Sequence, residues 1–197
     1  MSFQVRIVLG IGLFFLMVLP AHGFDKERKG FVLDLGAGFG IATYKQSLSD
    51  YMYEIEGERE SDFAIYTNFE IGYAPSNQLI ILYTSSVPWF KMTNIYDEDV
   101  TVISGVAGPT VTYFLNPEAP SFFFGGGFGL AVWDLPFEEG SEMWTDLGLI
   151  GKLGYEFATN VCVTFHILYG TPDKTEMGVT GETKAFNVGA TINWLAY

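Results

Sequence analysis

Cysteine, histidine and basic residues are scarce in this chain, and each scarcity excludes something. Cys162 is the only cysteine, so no intrachain disulfide can staple the fold. Beyond the N-terminal 23 residues there are one cysteine and one histidine, too few ligands for a zinc site, and no metal or other cofactor is expected. Lys and Arg total 10 against 23 Asp and Glu, a formal charge of −13. Nucleic-acid binding needs clustered Lys and Arg, so that class of partner is excluded. No segment after the N-terminal 23 residues holds 18 consecutive apolar residues, which excludes a second helical membrane span. Yet 49% of the chain is apolar, 17% is aromatic and the mean hydropathy is +0.24. That much apolar surface must find either an interior or a lipid phase.

The N-terminus reads as a secretory signal. Arg6 supplies a positive start, 7–19 is an apolar run, and Ala21-His22-Gly23 places small residues at −3 and −1 of a cleavage site. Cutting after Gly23 leaves 24–197 as one domain carrying a charge of about −14, since Arg6 is the only charge removed.

From Phe31 onward, apolar residues alternate with small or polar ones. Phe31, Leu33, Leu35, Ala37, Phe39 and Ile41 occupy one parity, and Val32, Asp34, Gly36, Gly38, Gly40 and Ala42 the other. Similar stretches fall near 63–73, 78–89, 100–114, 121–133, 144–157, 161–169 and 185–197. A period of two is the mark of a strand with unlike faces. Pro109 interrupts the fourth and predicts a bulge there. The connections near 74–77, 116–120 and 158–160 are short, whereas 45–61, 92–99, 134–143 and 170–184 are longer and mostly acidic. This rhythm predicts an all-β, eight-stranded antiparallel up-and-down transmembrane β-barrel, with short inner turns, longer outer loops and the apolar faces on lipid.

With its signal segment, the first strand 30–44, Gly154-Tyr155-Glu156-Phe157 before a short turn and the final strand 185–197, the chain resembles the small eight-stranded outer-membrane barrels of the OmpA/OmpX-like superfamily. That resemblance implies a Gram-negative outer membrane, with the lipid bilayer and lipopolysaccharide as surroundings. It also implies recognition of the C-terminal strand, ending in the aromatic Tyr197, by the outer-membrane assembly machinery.

Candidate sites follow from the two faces. Asp34, Glu70, Lys152 and Glu156 lie on the small or polar face, where buried charges need partners. Lys152 is expected to pair with one or two of the carboxylates, as a structural plug or a gate. Asn68, His166 and Asn187 are the uncharged polar lumen candidates. Phe31, Tyr73, Trp89, Tyr113, Trp133, Trp144, Phe157 and Tyr197 lie near strand ends and are expected in interfacial girdles. The run Phe31-Val32-Leu33-Asp34-Leu35-Gly36-Ala37-Gly38-Phe39-Gly40 looks like a methyltransferase cofactor loop, but such a loop must open a helix, and here the alternation continues to Ile41. The glycines fit a narrow lumen instead. His166 suggests lipid A-modifying acyl chemistry only if a serine from another strand, such as Ser85 or Ser86, reaches it. The acidic outer segments, including Glu56, Glu58, Glu60, Asp97, Glu98, Asp99, Glu138 and Glu142, suggest solvation or weak divalent-cation binding. The reading that results is a non-enzymatic outer-membrane barrel with a structural or surface-interaction role. A narrow channel for small or hydrophobic solutes and an acyl enzyme centred on His166 are the alternatives.

Overall fold

The computed structural model describes residues 27–49, 53–93, 97–138, 140–176 and 178–197. The expected signal segment, 1–23, lies outside them. Among the described residues every regular element is a strand: β1 Gly30–Ser49, β2 Glu54–Ala74, β3 Leu79–Thr93, β4 Asp99–Phe114, β5 Ser121–Asp134, β6 Trp144–Ala158, β7 Val161–Gly170, β8 Asp173–Glu176 and β9 Val179–Ala196. All pairings are antiparallel, and β1 pairs with β9, so eight strands close into a ring. The short β8 stands beside β9 at the outer end and touches β6 only at Thr145↔Asp173.

Closure gives every ring strand a paired neighbour on both sides, so the walls can meet lipid. Phe39, Phe69 and Leu149 are 64%, 41% and 52% exposed, whereas Asp34 and Lys152 are 5% and 6%. The oily parity therefore faces outward. On β1 the oily positions run from Phe31 to Ile41, about 33 Å at ~3.3 Å per residue. A strand tilt of ~40° reduces that to about 25 Å of membrane thickness, the height of an outer-membrane apolar band.

Three expectations about the strands are corrected. The segment 170–184 is not only a connection: it holds β8 and the first residues of β9, which pair with β1. The segment 45–61 is not a loop: β1 and β2 stay paired from Lys45↔Arg59 to Ser49↔Glu54, with a bulge between Lys45 and Ser47. This hairpin rises beyond the belt, and its strand pairing overrides the poor strand propensity of its acids. Pro109 makes no bulge. Its pairing with Tyr83 is in register, and the ladder to β5 resumes at Thr110↔Gly127 in the register it held at Ala107↔Leu130.

Candidate functional site

The lumen is a stack of three layers. At the inner mouth, where the three short turns lie, Val32, Ile80, Phe114, Phe123, Cys162 and Leu195 pack together. Arg28 enters this layer from just before β1. Its Nε donates to Glu156 Oε2 at 2.8 Å, and its Nη2 donates to the same oxygen. Its Nη1 donates to the carbonyls of Asn77 and Asn116 at 3.0 and 2.8 Å, and its Cζ lies 4.0 Å from the Phe114 ring centroid. Glu156 also accepts from the Tyr197 hydroxyl at 2.6 Å and from the Asn160 N–H at 3.2 Å. One guanidinium and one carboxylate thus tie together all three inner turns and Tyr197.

The middle layer is polar. Lys152 Nζ donates to Glu70 Oε2 at 2.6 Å, and Asn68 donates to the other Glu70 oxygen at 3.3 Å. Asp34 Oδ1 accepts from Asn193 Nδ2 at 2.6 Å. Asn193 Oδ1 accepts from Thr191 at 2.5 Å. Having given its proton to Asn193, Thr191 must accept from His166, 2.8 Å away, so His166 carries its proton on Nε2. Tyr66 lies 6.3 Å from the His166 ring, centroid to centroid. A Cβ at Gly40 or Gly189 would come within 2.4 or 2.6 Å of the Tyr66 ring, so these glycines make room for the phenol. The void among Asp34, Glu70, Lys152 and Cys162 is about 10 Å³, room for one water at most.

The outer layer is aromatic. Tyr44, Phe90 and Trp133 meet with ring centroids 5.1 to 5.7 Å apart, over Val102, Val106, Ile150 and Leu168. The Tyr44 hydroxyl donates to Glu60 at 2.8 Å and Asp62 at 3.0 Å. Burial, together with these two carboxylates, pushes its pKa up. Above it, Lys45 bonds Glu56 at 2.5 Å and holds that carboxyl below the usual carboxylate range.

The structure brings only some of the sequence-predicted residues together. Lys152 meets Glu70 directly, but Glu156 belongs to Arg28. Arg28 was not among the sequence candidates, because it precedes the first strand and strand parity says nothing of it. Asn187 stands higher and donates to Ser104 at 3.1 Å. The partner of His166 is Thr191 rather than Ser85 or Ser86. Phe31, Tyr73, Tyr113 and Phe157 are exposed at the inner end of the wall. Trp89 is half-buried on the wall toward the outer end, its indole N–H bonded to Thr67. Trp133, Trp144 and Tyr197 are not girdle residues. Trp133 and Tyr197 are buried inside, and Trp144 packs inward against the aromatic layer. The reason is parity: Trp133 and Trp144 share their strands' lumen-facing positions, and Tyr197 is out of phase with Ile192 and Trp194. Among the described residues, no group of three or more metal-capable side chains gathers at the acidic outer end or elsewhere.

No family model matches the chain, and no curated protein matches it. Among solved structures it is similar to the outer membrane protein OprG of Pseudomonas aeruginosa, with a TM-score of 0.53 at 10% identity over 86% of this chain and 97% of that one. It also matches Neisserial surface protein A, TM-score 0.44, 15% identity, 82% and 96% coverage. A third match is the N-terminal barrel domain of Pseudomonas aeruginosa OprF, TM-score 0.37, 13% identity, 84% and 98% coverage. Ring closure, the oily exterior and the OprG likeness agree: the chain has the fold of a small eight-stranded transmembrane β-barrel of the outer-membrane type.

Proposed function

We propose that this protein is a non-enzymatic barrel of a Gram-negative outer membrane, closed along its lumen, that works through the extension above the belt. One observation carries the reading. A clamped inner layer, a hydrogen-bonded middle and an aromatic outer layer fill the bore in series, as eight strands leave space for little else. In this reading the chain is cut after Gly23, β9 is the strand presented to the assembly machinery, and the acidic hairpin faces the lipopolysaccharide side.

Planar-bilayer recording on the refolded barrel tests closure. A flat trace is expected at voltages where a porin conducts, and discrete current steps would overturn it. Edman sequencing of the membrane-inserted protein should begin at Phe24.

A further inference from the structure

Above the aromatic layer the extension carries an open cleft of about 500 Å³, within the range of small-molecule sites. Its apolar walls are Leu48 of β1, Trp144 of β6 and Val179 of β9, and its polar rim is Glu142, Lys174 and Glu176. Leu48 lies seven residues beyond Ile41 on β1, about 23 Å along the strand at ~3.3 Å per residue. Its parity turns it to the inner face of the extension, so its exposure is to water and not to acyl chains. Gly181 shapes the wall: a Cβ there would come within 2.6 Å of the Trp144 ring. The missing side chain leaves room for the tip of the indole ring against β9.

The rim is unequal in charge. The Lys174 ammonium bonds Glu142 and stands 3.7 Å from Glu176, and both carboxylates are mostly exposed. One ammonium thus serves two carboxylates on the rim of a cleft that Trp144 also lines. The protein's own lysine shows what the rim grips, and one negative charge is left over.

We infer that this cleft binds amphiphilic amines: ligands with a flat apolar body for Leu48, Trp144 and Val179, and an ammonium that competes with Lys174 for Glu142 and Glu176. The aromatic face adds attraction for a cation. An anion would meet a lysine already engaged and two carboxylates that repel it. The inference rests on the extension being the working end, as proposed above.

The test uses the barrel in phosphatidylcholine nanodiscs and equilibrium dialysis of three probes with one indole body: tryptamine, tryptophol and indole-3-acetate. Tryptamine should bind best and indole-3-acetate worst. Lys174→Ala should tighten tryptamine about two- to fivefold, the worth of an exposed ion pair released from competition. That gain cannot come from misfolding. The double variant Glu142→Gln/Glu176→Gln should weaken tryptamine by at least as much and reduce its margin over tryptophol. The inference fails if tryptamine does not bind, if the three probes bind alike, if indole-3-acetate binds best, or if Lys174→Ala weakens tryptamine. Current steps in the bilayer assay with tryptamine binding intact would remove the closed-lumen reading alone. A silent barrel that ignores tryptamine would remove this one alone.

Discussion

Two buried ion clusters stand in the same bore and are built differently. At the inner mouth one guanidinium faces one carboxylate, and Tyr197 and Asn160 supply further donors to Glu156. In the middle one ammonium faces two carboxylates, with Lys152 on Glu70 and Asp34 held through Asn193. The first is matched in charge and spans turns far apart in sequence. The second holds an excess of acid across three strands. A matched cluster fastens parts together, whereas an unmatched one leans on a single cation.

That contrast sets the order of expected effects. Lys152→Met leaves two carboxylates facing each other in the middle layer. It should cost about 5 kcal/mol, the upper end for a broken buried pair, read from urea unfolding in lipid vesicles. Arg28→Met should cost less, about 3 kcal/mol, because Glu156 keeps its tyrosine and backbone donors. If Arg28→Met proves the more damaging, the inner clamp and not the middle layer carries the stability. Asp34→Asn should change stability least, within about 1 kcal/mol, and should recover part of the Lys152→Met loss in the double variant. A large loss from Asp34→Asn alone would show that the excess carboxylate is needed and would reverse the comparison.

The wall of the barrel was legible because strand parity is a local property. Phe31 to Ile41 on β1 and Phe63 to Tyr73 on β2 announce which side meets lipid, and the side chains lie accordingly. The same parity already assigns Trp133 and Trp144 to the interior. Strand-end position suggested a girdle, but in a narrow barrel a large ring at a strand end can equally cap the bore. Arg28 was hidden for a different reason. It precedes the first strand, and only the register of distant turns brings Asn77, Asn116 and Glu156 around it. A carboxylate at position 156 with no cation on its own level was the one available hint. The outer hairpin was hidden by composition, since Glu54, Glu56, Glu58 and Glu60 argue locally against a strand while the partner β1 supplies the ladder. The cleft above the plug depends on pairing between β1, β9 and β8, which no single stretch of residues encodes.

The meeting of Arg28 and Tyr197 on one carboxylate also bears on how the molecule can be rewired. The start of β1 and the end of β9 already sit together, with Leu33 paired to Ala196. A short linker could splice them. A bulky fusion placed directly on Tyr197 would instead wedge apart the knot that gathers the inner turns. Reporter sequences therefore belong at the outer rim rather than beside Tyr197.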